Sequence, residues 1–211
     1  MDKPVMILGA NGIGKIALEI FDSHDIIVYG FLDDDPKQRN TTIHDITVLG
    51  ATEDQAFLKL IGKKCEAFVA SDDDVLREKL VEMLNTKRKV MPMNAIHAKA
   101  YLSQRVVMGH GNLIDAGVII NTGATLANHC IVRQGVQIDY DSTLADFVQV
   151  GVGSSIGSQV SIDSHVFIGS GVTIVAGVTI GERARIGAGS VVVEHVEAGS
   201  TVFGNPAKKI S

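Results

Sequence analysis

Apolar residues recur at every sixth position through the second half of the chain. Stepping from Leu102 gives Met108, Ile114, Ile120, Leu126, Val132, Ile138, Leu144, Val150, Ile156, Ile162, Ile168, Ile174, Ile180, Ile186 and Val192. All sixteen are aliphatic or methionine. If such residues make up about a third of a chain, chance gives this run on the order of once in ten million trials. The next residue is often small, as in Ile156-Gly157, Ile168-Gly169, Ile180-Gly181 and Ile186-Gly187. Six residues supply one short strand and a tight turn, and three such faces close a triangular coil of about 18 residues. The span 102–192 therefore predicts about five coils, each burying one aliphatic residue per face against its neighbours. Strands of a sandwich would alternate and be joined by loops of variable length.

Upstream the pattern changes. Residues 4–8 (Pro-Val-Met-Ile-Leu) form a short apolar run, followed by a glycine turn over Gly9–Lys15 and a helical stretch from Ile16 to Asp22. A second strand, Ile26–Leu32, ends in Asp33-Asp34-Asp35-Pro36, and an amphipathic helix fits Asp73–Leu84. Strand, glycine turn, helix, strand and acid in that order predict a Rossmann-like α/β domain over 1–92. An all-β parallel helix follows over 93–211. The turn lets backbone N–H groups approach a phosphate or sugar at the helix start. As a Walker A loop it has Ile16 where Ser or Thr should ligate magnesium, and its glycine spacing does not fit a dinucleotide fingerprint. A tight packing turn is the plain alternative.

The formal net charge of −5 argues against nucleic acid as the main partner. No run of 18 or more apolar residues predicts a membrane span, and the start lacks a basic leader, so a cytoplasmic location is expected. Cys65 and Cys130 lie far apart with no CxxC and are expected to be buried thiols. The histidine spacings match no zinc site, so no metal is expected. His110, His165 and His195 fall near coil corners, where a solvated polar side chain is ordinary.

Three motifs together resemble one family. Gly9–Lys15 reads GAxGxGK, Gly30-Phe31-Leu32-Asp33-Asp34-Asp35 reads GF(L/V)DDD, and Gly204-Asn205-Pro206-Ala207-Lys208 reads GxPAK. The order is similar to that of the NeuD/PglD-type sugar acetyltransferases, which are hexapeptide-repeat left-handed β-helix acyltransferases. The resemblance implies a homotrimer with active sites between neighbouring β-helices and acetyl-CoA as co-substrate. It implies a UDP-linked amino-sugar as acceptor in glycan biosynthesis. Gly9, Asn11, Gly12 and Gly14 would line the sugar side, and Asp33, Asp34 and Lys37 would approach the nucleotide. Ser170, Ala188, Gly204, Pro206 and Lys208 would hold the CoA.

The catalytic motif departs from the family. There a histidine followed by an acid removes the nucleophile's proton, since imidazole titrates near the working pH. Aligned without gaps, the histidine position is Tyr140, followed by Asp141, and a second histidine position is Gln149. Arg133 stands in place of an asparagine, and Ile13 in place of a histidine in the glycine turn. A second register through Asn121-Thr122-Gly123-Ala124 leads to Asn128-His129-Cys130, but it needs a 12-residue insertion that moves the site to another face. A free tyrosine ionises near 10 and is a poor base at neutral pH. Losing a positioned base removes roughly 10²–10⁴-fold of rate. The leading expectation is an acyltransferase whose proton transfer is reorganised around Tyr140, Asp141 and Gln149, or whose substrate amine needs little help. A ligand-binding or scaffolding trimer without catalysis is the alternative, and a small-molecule sensor rests only on the glycine turn.

Overall fold

The structure is a computed structural model and describes residues 3–210. The chain divides into two compact units, one ending at Ala98 and the other beginning at Lys99; the sequence pattern places the change at 92.

The first unit is built on a five-stranded sheet in the order β3-β4-β2-β1-β5. Its strands are β1 (Val5–Leu8), β2 (Val28–Leu32), β3 (Thr42–Ile43), β4 (Ile46–Gly50) and β5 (Glu66–Val69). β1 pairs in parallel with β2 and β5, and β2 with β4, while β3 and β4 form an antiparallel hairpin. The unbroken run Val-Met-Ile-Leu of β1 is what a central parallel strand requires, since both of its faces are covered. All four of its side chains are fully buried.

Helix α1 spans Gly12–Asp22 and starts four residues before the expected Ile16. The Asn11 side chain causes this, accepting from the Ile13 and Gly14 N–H groups at 3.0 and 3.2 Å as an N-cap. A side chain at Gly14 would collide with the Gly9 carbonyl, so the turn needs glycine there for close approach. The inner face of α1 buries Ile13, Ala17, Leu18, Ile20 and Phe21. Phe21 meets Phe68 of β5 edge-on at 5.8 Å. A short helix, α2, spans Gln55–Leu58, and α3 spans Asp74–Arg88 with Asp73 as its cap.

The second unit is a left-handed parallel β-helix. From Leu102 to Val192 the strands have two residues each and pair with one another in steps of 18, as Ile120 with Ile138, Ile138 with Ile156 and Ile156 with Ile174. The sixfold residues form the interior, and from Ile114 to Val192 each is at most 2% exposed. In most coils the residue before each faces outward, which is why Thr125, Gln137, Thr143, Ser155, Thr173 and Thr179 occupy those sites, while Leu113 and Ile131 at the same place are buried. The three corners differ. One carries left-handed glycine in every coil, at Gly117, Gly135, Gly153, Gly171 and Gly189, with φ between 66° and 70°. Another holds the left-handed residues His129, Phe147, His165 and Arg183 one above the other. Their rings stack, with centroids 5.0 Å apart from His129 to Phe147 and again from Phe147 to His165. The stack closes with an antiparallel hairpin of Thr201–Gly204 and Ala207–Lys209.

Both cysteines are free and buried. Burial pushes the Cys65 thiol up to about 11, with Glu66 adding to the shift. At pH 8 about one Cys65 in a thousand is then thiolate, and thiolate is the reactive form. A disulfide dye added to the folded protein at pH 8 should therefore label Cys65 only after denaturant is added; prompt labelling of Cys65 in the native protein would contradict its placement. Ile156→Asp should lower stability by several kcal/mol, about 3–5, because it buries an unpaired carboxylate between coils. An unchanged urea midpoint would contradict the assignment of Ile156 to the interior.

Candidate functional site

The carboxyl ends of β1, β2 and β5 meet at a cleft of about 200 Å³ in the first unit. This is where open α/β sheets place ligands, because successive loops part there. Gly9, Asn11, Asp33 and Asp34 line it, together with Asp35, Thr52, Ala70, Ser71, Leu76 and Leu80. Four residues singled out from the sequence are thus brought together. Gly12 and Gly14 sit beside them in the first turn of α1, and Lys37 lies on the exposed turn beyond.

Hydrogen bonds show how the acids are used. Asp33 accepts from the Ala10 N–H at 2.7 Å and the Asp35 N–H at 2.8 Å. It therefore ties the glycine turn to the end of β2. Asp34 accepts from the Thr52 N–H at 2.9 Å and from its hydroxyl at 2.9 and 3.0 Å. Asp35 accepts from the Lys37 N–H at 2.9 Å. Asp33, Asp34 and Asn11 give the cleft its shape through these bonds. Thr52 and Ser71 were missed from the sequence. Both are buried polar residues at loop starts, and only the fold shows that their loops converge.

In the β-helix, Ser170 and Ala188 occupy the same slot of successive coils at the glycine corner. The pairing of Ile186 with Val202 carries the row on to Gly204. Three of the residues expected to hold CoA therefore stand in one line. Gly204 is tied down by its N–H to the Ser190 hydroxyl at 3.1 Å. Pro206 lies in the hairpin turn. Lys208 pairs with Phe203 across the hairpin and lines a cavity of about 340 Å³ with His195, Glu197 and Lys209. The Lys209 ammonium bonds Glu197 at 2.8 Å, and that bond, then its charge, holds the Glu197 carboxyl below its usual range. His195 Nδ1 accepts from the Thr179 N–H at 2.8 Å, so His195 is tied to the backbone rather than simply solvated.

Tyr140 and Asp141 share the turn between the strands Gln137–Ile138 and Thr143–Leu144. Asp139 fixes this turn, accepting from the Tyr140 N–H at 2.8 Å and the Asn121 amide at 2.9 Å. Tyr140 is 45% exposed, and Asp141 is left-handed at φ 57°. Gln149 lies half a coil further on, in the strand Gln149–Val150 of another face, so one chain does not bring it to the Tyr140 corner. The second register falls on structural positions. Asn128 donates to Asp146 at 2.9 Å and accepts from the His110 N–H, while His129 is 4% exposed within the ring stack. Among the described residues no three His, Cys, Asp or Glu side chains gather as a metal set. Nor is any helix among them long and apolar enough to cross a membrane.

The PglD N-terminal domain family matches residues 4–84, and the bacterial transferase hexapeptide family (six repeats) matches residues 160–194. Comparison with curated proteins gives no match. Among solved structures, perosamine N-acetyltransferase from Caulobacter crescentus, in complex with CoA and GDP-perosamine, is 31% identical. The match covers 99% of this chain and 97% of that one, with a TM-score of 0.91. The acetyltransferase domain of PglB from Neisseria gonorrhoeae is 25% identical over 99% of this chain and 100% of that one, at 0.90. WeeI from Acinetobacter baumannii is 25% identical over 98% and 99%, at 0.84. With the cleft, the six-residue coils and the terminal hairpin in the same order along nearly the whole length, this chain belongs to the NeuD/PglD-type sugar acetyltransferase family of hexapeptide-repeat acyltransferases.

Proposed function

We propose that the protein transfers an acetyl group from acetyl-CoA to the amine of a nucleotide-linked amino-sugar, as a cytoplasmic homotrimer working in glycan biosynthesis. The observation that carries this is the likeness, over 99% of the chain, to an enzyme solved with CoA and a nucleotide-sugar. The nucleotide-sugar occupies the cleft at Gly9, Asn11, Asp33 and Asp34, with Gly12, Gly14 and Lys37 at its edge. The CoA lies along Ser170, Ala188 and Gly204 towards Pro206 and Lys208. UDP is the nucleotide that the family resemblance implies, and the GDP-sugar of the Caulobacter enzyme makes guanosine the first alternative. Trimer formation is supported by Tyr101, Val107 and Ile119, which point outward and are 61, 63 and 39% exposed.

In this reaction the amine lone pair attacks the thioester carbonyl. The C–N bond forms, the C–S bond breaks, and the CoA thiolate leaves. An amine that arrives unprotonated loses one proton as the C–N bond forms, and the departing CoA thiolate takes it to leave as the thiol. Tyr140 stands at the position where the family uses a histidine, with Asp141 next to it on the same turn. With no imidazole to act as base, this corner serves an acceptor amine that is already free, and turnover is slow. The missing imidazole supports a second reading, a trimer that binds its ligands without catalysing.

Tyr140→His should raise acetyl transfer about 10²-fold, followed as free thiol released from acetyl-CoA with UDP- and GDP-amino-sugars. Adding Gln149→His should raise it further if the neighbouring subunit completes the site. Fast parental turnover that ignores changes at both Tyr140 and Asp141 would place the chemistry elsewhere. No binding of CoA or any nucleotide-sugar to the parent in calorimetry would end the proposal. Asp34→Ala should lower stability by about 1–3 kcal/mol, because the buried Thr52 N–H and hydroxyl lose their acceptor. It should weaken nucleotide-sugar binding while leaving CoA affinity unchanged.

A further inference from the structure

The glycine corner breaks its own rule in the lower coils. Pairing places Asp115, Arg133, Gly151, Gly169 and Gly187 in one vertical row, adjacent to the row of Ser170 and Ala188. The upper three members are glycine for a packing reason. A side chain at Gly151 would press on the backbone of Gly169 and Ser170, and one at Gly169 on Ala188. The result is a shelf without side chains at Gly151 and Gly169, closed above by the Phe203 ring against Gly187, and the two large residues of the row sit at its foot. Departures from a local rule of this kind are expected where function has displaced packing.

The two residues are held unlike a surface pair. The Asp115 side chain is 9% exposed, and its Oδ1 accepts from the Ala116 N–H at 2.7 Å. Its Oδ2 lies 3.6 Å from Arg133 Nε, at ion-pair distance but beyond a hydrogen bond. Arg133 Nε is enclosed and has no hydrogen-bond partner among the described residues. The Arg133 side chain is only 27% exposed. A withdrawn guanidinium thus lies beside a buried carboxylate at the foot of the glycine row, and its enclosed Nε makes no hydrogen bond among the described residues. Coils rise about 4.8 Å each, so the Arg133 backbone lies about 10 Å below the row of Ser170.

We infer that Arg133 is an anion-binding residue that fixes one co-substrate at the foot of the glycine shelf by taking a phosphate or carboxylate of that ligand on its outer edge. The planar fork of a guanidinium matches two oxygens of such a group, and partial burial strengthens each bond. Asp115 acts as a positioning residue, keeping the fork in place before the ligand arrives. The inference rests on the proposed CoA and nucleotide-sugar sites for the identity of the ligand, but the anion site itself can be tested alone.

The test compares the parent with Arg133→Gln and Arg133→Lys. Inorganic pyrophosphate at millimolar concentration should raise the thermal midpoint of the parent, leave Arg133→Gln unmoved and shift Arg133→Lys by less. In calorimetry, Arg133→Gln should bind either CoA or the nucleotide-sugar at least tenfold more weakly, which names the source of the anion. Acetylpantetheine, which lacks the CoA phosphates, should bind all three proteins alike. If Arg133→Gln leaves Asp115 stranded and fails to fold, Arg133→Gln with Asp115→Asn removes the pair as a neutral unit. Equal pyrophosphate stabilisation of parent and variants, or none in the parent, overturns the inference. So does a parent that binds both ligands no more than twofold better than the variant. A parent that binds neither ligand ends the proposed function, and the pyrophosphate comparison still decides the role of Arg133.

Discussion

The β-helix depends on one packing constraint: each interior aliphatic residue must lie directly over the one 18 residues before it. Ile120, Ile138, Ile156 and Ile174 form such a column, and two parallel columns run along the other faces. Strands two residues long contribute few ladder hydrogen bonds within any one coil. Stability comes from the sum of near-identical interfaces between adjacent coils, each removing aliphatic surface from water. A slip of one residue would turn a whole face outward. That is why the phase is kept without a break from Leu102 to Val192.

Because the interior is uniform, chemistry is confined to the corners and the outward positions. The corner of His129, Phe147 and His165 is filled by stacked rings, while that of Gly151 and Gly169 carries no side chain and Phe203 closes it at Gly187. The third corner carries Tyr140 and Asp141 on a turn fixed by Asp139. The first unit solves the same problem differently, gathering its polar residues where β1, β2 and β5 end. There Asp33 and Asp34 hold loops together from within.

The columns were legible in the sequence because a six-residue period has no other physical source. The N-terminal domain was legible because Val5–Leu8 is too apolar and too short to be anything but a buried strand beside a glycine turn. The start of α1 was misplaced by four residues, since the cap at Asn11 is a local geometry that periodicity does not register. The row of Ser170, Ala188 and Gly204 could be expected only from the resemblance; its alignment needed the 16-residue step from Ala188 to Gly204, which breaks the period. Asp115 and Arg133 are 18 apart and were visible as a pair in principle. Their partial burial, and the bare shelf above them, exist only in three dimensions. The same holds for the inward bonds of Asp33, which sequence alone cannot tell from a ligand-facing acid.

The glycine row also works as a ruler. Each coil adds one fixed step of about 4.8 Å, so the height of the bare shelf is set by the number of coils whose slot is glycine. Gly151 and Gly169 give two such steps before the Phe203 ring at Gly187, and Arg133 marks the zero. A ligand lying along this edge is measured in whole repeats. A change in its length is accommodated by gaining or losing 18 residues at a time, while an insertion of 6 or 12 keeps the interior phase but carries the edge round to another face. Evolution of reach in such a protein is therefore quantised, and the unit of change is the coil rather than the residue.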